Sequence, residues 1–231
     1  MKSVLLTRSL EDNDEIIREL EKNCSFKYIC SPLVEYQALP LNSTTLHNIL
    51  HNYVNIIVTS KVAARILAGH QELEQKNLWI VGNSSKLILE QKNFVVRYVA
   101  TNIQDLLENI PQEIYEQTIY LSSNEITQDL PQKIKRHIIY RVKYATQLYQ
   151  IAEIEKGINF ILLYSQNSTK TFIELLIKNN LLKLLDNSLV ITISEKVANI
   201  IRYFAKNVVY CDNGQPQQML ELLIYNAKIR N

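Results

Sequence analysis

The sequence is poor in glycine, cysteine and net charge, and each shortage removes a class of protein. Four glycines occur in 231 residues, at positions 69, 82, 157 and 214. Neither a GxGxxG dinucleotide fingerprint nor a GxxxxGK[ST] phosphate loop can therefore be written anywhere in the chain. No GxSxG elbow exists, and the four histidines stand at no spacing that hands a base to a particular serine or cysteine. The three cysteines, Cys24, Cys30 and Cys211, form no CxxC pair, and their odd number argues against a disulfide framework; they are expected as buried thiols. No apolar run reaches the ~18 uncharged residues that suggest a membrane span. The start, MKSVLLTRSLEDNDE, turns acidic after a few apolar positions, unlike a signal peptide, so the expected location is the cytoplasm, away from any membrane.

Charge of one sign is also scarce. The net charge is +2, with lysines and arginines dispersed, which gives a nucleic-acid backbone no stripe to bind but leaves a small polyanion acceptable. The densest basic cluster, Lys133, Lys135, Arg136, Arg141 and Lys143, is interrupted by Ile138, Ile139, Tyr140 and Val142, and reads as a strand with one solvated face. His47 and His51 could share a helix face, but no third ligand lies near them in sequence. A zinc site needs at least about three protein ligands, so an exposed helix surface is expected there and no metal.

What the chain has in quantity is 47% hydrophobic residues, enough for a full core. Short apolar runs alternate with helix-period stretches almost from end to end: SVLLT, a helix from about Ser9 to Asn23, FKYIC, then NIIVT, LWIV, FVVRYV, TIYL, INFILLY, LVITI and NVVYC. This predicts repeated βα units and parallel sheets covered by helices. The chain also contains itself twice. NIIVTSKVAARIL with LWIVGNSSKLILEQKNFVVRYVATNIQDLLENI parallels NFILLYSQNSTKTFIELL with LVITISEKVANIIRYFAKNVVYCDNGQPQQMLELLI, aligning Ser60 with Ser165, Gly82 with Ser194, Val95 with Val209 and Leu106 with Leu220. Two similar α/β domains are expected from this duplication. Two extended segments, 34–41 and 137–145, read as linker strands, so that residues 1–33 rejoin 146–231 in a discontinuous domain while 42–136 form an inserted one.

Hydroxyl and amide residues recur where strands should turn into helices: Thr7-Arg8-Ser9, Thr59-Ser60-Lys61, Gly82-Asn83-Ser84-Ser85, Ser122-Ser123-Asn124, Ser165-Gln166-Asn167-Ser168 and Ser194-Glu195. Each is a natural N-cap. Collected at the carboxyl edge of parallel sheets, the same turns offer free N–H groups and partial positive charge to carboxylates.

On the segments VLLTR, SPLVEY, IIVTSKVAA, WIVGNSS, IIYRVKY, LLYSQNS and ITISEKVA, in that order, the chain resembles the uroporphyrinogen-III synthase family over nearly its whole length. The resemblance implies an α/β fold of two flavodoxin-like parallel-sheet domains joined by a two-stranded linker, with the active cleft between them. It implies a cofactor-free and metal-free lyase that closes hydroxymethylbilane, with inversion of ring D and loss of water, in tetrapyrrole and haem biosynthesis. A monomer is expected, whose domains close over the flexible substrate. Tyr140 matches the family tyrosine proposed to assist loss of the hydroxyl. Thr7, Arg8, Ser60, Lys61, Gly82, Asn83, Ser84, Ser85, Ser122, Ser165, Gln166 and Ser194 would hold substrate carboxylates. The chain departs from the family at Ser123 and Thr127, where Gly and Arg are frequent, and at Val197, where some members have threonine. The rival reading is a non-catalytic, two-lobed cytoplasmic binding protein for a small polyanion.

Overall fold

The computed structural model describes residues 1–92, 94–126 and 128–229. The chain begins β1 (Ser3–Leu6), α1 (Leu10–Leu20), β2 (Lys27–Cys30), β3 (Val34–Ala38) and α2 (Ser43–Leu50). It continues β4 (Asn55–Val58), α3 (Lys61–Leu67), β5 (Asn77–Val81), α4 (Asn83–Glu90), β6 (Val96–Ala100), α5 (Ile103–Asn109), β7 (Thr118–Ser123) and β8 (Lys135–Tyr144). Last come α6 (Ile151–Ile154), β9 (Phe160–Leu163), α7 (Gln166–Lys178), α8 (Leu184–Asn187), β10 (Leu189–Thr192), α9 (Glu195–Ile201), β11 (Asn207–Tyr210) and α10 (Pro216–Ile229). Internal contacts divide the chain into two units, Met1–Glu35 with Lys143–Asn231, and Tyr36–Val142.

The first unit carries a five-stranded sheet in the order β11-β10-β9-β1-β2, all of its pairs parallel. Strands β1, β9 and β10 are buried at every position. Successive side chains enter opposite cores: Leu5, Ile161 and Leu163 pack with α7 and α9, while Val4, Leu6, Phe160 and Leu162 pack with α1 and α10. That is why SVLL, FILL and LVIT are continuous apolar runs and not alternating ones.

The second unit carries a six-stranded sheet in the order β3-β8-β7-β4-β5-β6. From β8 to β6 its pairs are parallel. Helices α2, α3 and α4 cover the face bearing Ile56 and Val58, and α5 covers the face bearing Ile57. Reading β9-β10-β11-β1-β2 against β4-β5-β6-β7-β8 gives the same strand order in both units, so the repeat seen in the sequence is a repeat of topology. In each sheet the helices change face at one place, between β9 and β1 in the first unit and between β4 and β7 in the second. Such switch points open a crevice at the carboxyl ends of the strands.

The segments read as linker strands, 34–41 and 137–145, supply β3 and β8, adjacent at one edge of the six-stranded sheet, and the chain passes from one unit to the other within them. Two expectations change. Ser122 does not start a helix: it sits inside β7, and no helix occurs between β7 and β8 among the described residues. Asn124, Asp129 and Pro131 in that connection favour turns over helix. Of the cysteines only Cys211 is buried; Cys24 and Cys30 are partly exposed. Thr127 lies outside the described residues.

Candidate functional site

In each unit the carboxyl edge of the sheet gathers the polar residues, because parallel strands end together. In the second unit β4 runs out at Thr59 and Ser60, and both hydroxyls meet a phenol. Thr59 Oγ1 lies 2.7 Å from the Tyr120 hydroxyl, and Ser60 Oγ lies 2.9 Å from the Tyr140 hydroxyl. Ser60 is also the N-cap of α3, accepting the Ala63 N–H at 3.0 Å. Lys61, the first residue of that helix, is half-buried.

A β-bulge brings Tyr140 to Ser60. Ser122 is opposite Ile138 but Ser123 is opposite Tyr140, so β8 holds one extra residue, Ile139. Without it Ile139 and Tyr140 would face opposite sides; with it both enter the core cluster that α3 covers. Tyr140 is 5% exposed, and its ring meets Tyr36 edge to face at 6.0 Å. Tyr120 faces the other core, and burial pushes its phenol pKa above the usual value while the Thr59 hydrogen bond opposes the rise.

At the end of β5, Gly82 takes φ of 87° to start α4, a conformation in which a side chain would be strained. Helix α4 has no side-chain cap. Asn83 and Ser84 are exposed on its first turn, whereas Ser85 is buried. At the end of β7, Ser122 is buried and accepts Arg136 Nε at 2.8 Å. Another nitrogen of the same guanidinium donates to the carbonyls of Ser123 at 2.6 Å and Asn124 at 3.1 Å. Arg136 thus holds the strand end in place.

The first unit builds its edge around a guanidinium. Thr7 is buried, and its hydroxyl donates to the Leu162 carbonyl at 2.6 Å, fastening β1 to β9 across the switch point. Arg8, next in the chain, pairs with Asp12 at 2.7 Å and lies over the Tyr164 ring at 4.9 Å. Asn13, fully buried, accepts the Arg8 N–H at 3.1 Å and donates to the Arg8 carbonyl at 3.0 Å, so the turn is clamped from within α1. Burial raises the Tyr164 phenol far above its ordinary pKa, which the Arg8 charge opposes, and its hydroxyl has no hydrogen-bond partner among the described residues. Ser165 caps α7 by accepting the Ser168 N–H at 3.1 Å, and Gln166 is exposed beside it. Ser194 begins α9 without a side-chain cap. The repeat therefore reaches into the caps: Ser60 and Ser165 are used on their own helices, while the equivalent Gly82 and Ser194 leave theirs open.

The candidate positions thus sort themselves. Arg8, Asn83, Ser84, Gln166 and the uncapped starts at Gly82 and Ser194 stand at the edges, whereas the hydroxyls of Thr7, Ser60 and Ser122 are engaged inside their units. The sequence reading passed over Asp12, Asn13, Thr59, Tyr120, Arg136 and Tyr164. A signal existed for Asn13, which falls on the buried stripe with Ile16 and Leu20, a place where an amide needs partners. Nothing local marked Arg136, since its acceptors, the Ser122 hydroxyl and the Ser123 and Asn124 carbonyls, lie beyond an intervening loop. His47 and His51 are exposed, with ring centroids 6.5 Å apart, and no group of His, Cys, Asp and Glu suited to a metal occurs among the described residues. No helix among them is long and apolar enough to cross a membrane.

Two parallel α/β units, each with its polar groups at the carboxyl edge and a switch point there, define a protein of the doubly wound α/β class. Comparison with known proteins makes the class particular. The family model of uroporphyrinogen-III synthase HemD matches residues 14–221. The chain belongs to the uroporphyrinogen-III synthase family, lyases of tetrapyrrole and haem biosynthesis. An uncharacterized protein of Rickettsia prowazekii is 46% identical over 278 aligned positions, covering 99% of this chain and 100% of that one. Among solved structures, uroporphyrinogen-III synthetase from Helicobacter pylori superposes with a TM-score of 0.64 at 15% identity, over 98% of this chain and 100% of its own. A mutant uroporphyrinogen III synthase from Thermus thermophilus gives 0.56 at 12% identity, over 99% and 98%. At such identities the likeness is one of fold.

Proposed function

We propose that this chain converts hydroxymethylbilane into uroporphyrinogen III, and that Tyr140 supplies the proton with which the hydroxyl departs. The observation that carries this reading is the Tyr140–Ser60 hydroxyl pair at the carboxyl end of β4, assembled by the bulge in β8. A phenol hydroxyl carries a proton that it can give to a departing oxygen. In the step proposed, the carbon–oxygen bond of the hydroxymethyl group breaks, pushed by the adjacent pyrrole nitrogen. The Tyr140 proton goes to the leaving oxygen, water departs, and an azafulvenium cation remains, its charge matched by the phenolate. The phenolate recovers a proton when the closed macrocycle sheds one to restore aromaticity.

The substrate's carboxylates would be held by Arg8 and Lys61, by Gln166, Asn83 and Ser84, and by the open N–H groups of the helices starting at Gly82 and Ser194. Neither start is capped by a side chain, so both offer free N–H groups and partial positive charge to an anion, offset at α9 by Glu195 in its first turn. Much of the rate advantage then comes from holding a flexible bilane folded so that ring D attacks through its substituted carbon. The test is to generate hydroxymethylbilane enzymatically in the presence of this protein and resolve the isomers. Type III product is expected; only type I, formed at the uncatalysed rate, overturns the reading.

A further inference from the structure

We infer that Ser60 acts on the reaction through Tyr140, as the donor that keeps the phenolic proton free, and does not hold a substrate carboxylate; this deepens, and rests on, the reading of Tyr140 as the acid. A serine hydroxyl has one proton and two lone pairs. One lone pair of Ser60 is committed to the Ala63 N–H at 3.0 Å, and the hydroxyl lies 2.9 Å from the Tyr140 oxygen. If Tyr140 donated to Ser60, its proton would be directed into the protein. With Ser60 as donor, the phenol accepts one hydrogen bond and turns its own O–H outward, and the same bond stabilises the phenolate formed when that proton leaves. The geometry holds this arrangement from several sides. The helix start fixes the Ser60 oxygen, the bulge at Ile139 brings the ring into place, and the Tyr36 ring lies against it edge to face at 81°.

Ser60 stands in ordinary extended backbone, φ −139° and ψ 146°, which glycine and threonine both adopt. Glycine is nearly as good an N-cap as serine but has no hydroxyl; threonine keeps both the cap and the donor. Ser60→Gly should lower kcat about tenfold, the effect of one hydrogen bond to a developing charge, with KM within about twofold. Ser60→Thr should restore kcat to within about threefold. In a Tyr140→Phe background, Ser60→Gly should cause no further loss, because the group through which it acts is gone. A rise in KM at unchanged kcat would show a carboxylate ligand and overturn the inference. So would an equal loss of kcat with and without Tyr140. Wild-type kcat in Tyr140→Phe alone would instead remove the acid itself, and the inference with it.

Discussion

Thr59-Ser60 in one unit and Tyr164-Ser165 in the other occupy the same turn of the same strand order, yet they are put to different uses. In the second unit the turn's hydroxyls are bonded to two phenols, Tyr120 from the adjacent β7 and Tyr140 from β8, one strand further on. In the first, the tyrosine belongs to the turn itself, and a neighbouring strand contributes a guanidinium that lies over its ring. Both arrangements sit at a switch point, where helices part and leave the strand ends uncovered. The frame and the positions of the caps are thus the same in both units while the side chains differ; in the function proposed, one edge serves proton transfer and the other anion binding. A scaffold of hydrogen-bonded strands fixes where a turn lies, whereas the side chains that reach it come from other strands and can change independently.

Substitutions at the two edges should separate these roles. The largest effect is expected for Tyr140→Phe, which should reduce turnover by about 10²-fold or more while the thermal midpoint stays within a few degrees, the magnitude of a lost general acid. Single-turnover assays alongside melting curves read both quantities. Arg8→Gln should instead raise KM, about tenfold, and also cost about 2 kcal/mol of stability by leaving the buried Asp12 carboxylate without its cation. Adding Asp12→Asn should recover stability but not KM; recovery of both would mean that Arg8 serves the fold alone. Smaller again is Thr59→Val, expected to cost about 1 kcal/mol because the Tyr120 hydroxyl loses its partner. Tyr120→Phe in the same chain should return most of that loss, with kcat changing under about threefold throughout. A large kcat effect would make Tyr120 a second acid and erase the contrast with Tyr140.

The smallest effect is one of pH. Glu153, between Lys156 and Lys27 on the first unit, has its carboxyl pKa lowered from 4.5 to about 2 by hydrogen bonds to the two ammonium groups, Lys156 first. A lowered folded-state pKa contributes stability that is complete above the ordinary value and lost as pH falls from about 4.5 towards about 2. Because the group is partly open to solvent, salt should weaken the contribution. Urea titrations at low and neutral pH should show Glu153→Gln flattening the difference slightly; an unchanged difference would assign the acid sensitivity elsewhere.

Much of the fold was legible because parallel strands buried on both faces leave unbroken runs such as NIIV and LVIT, and because the turns after them carry hydroxyls that cap helices. The pairing of Ser60 with Ser165 and of Gly82 with Ser194 was readable for the same reason. The bulge was not: HIIYRV is an apolar run in which alternation assigns Ile139 and Tyr140 to opposite faces, and only pairing with β7 places both in one core. Ser122 looked like one more helix start because serine and asparagine suit a turn equally well whether it leads into a helix or into a loop. Thr7 and Arg8 looked alike as edge residues, but one hydroxyl turns inward to Leu162 while the guanidinium remains at the surface.

By itself the sequence determined the alternation of strands and helices, the doubled architecture and the absence of nucleotide loops, since these depend on local periodicity and on residue types within one turn. Tertiary structure alone decided which hydroxyl meets which phenol, which arginine secures a strand end and which helix starts stay open. Those outcomes depend on register between strands far apart in the chain, where a shift of one residue reverses the direction of every side chain.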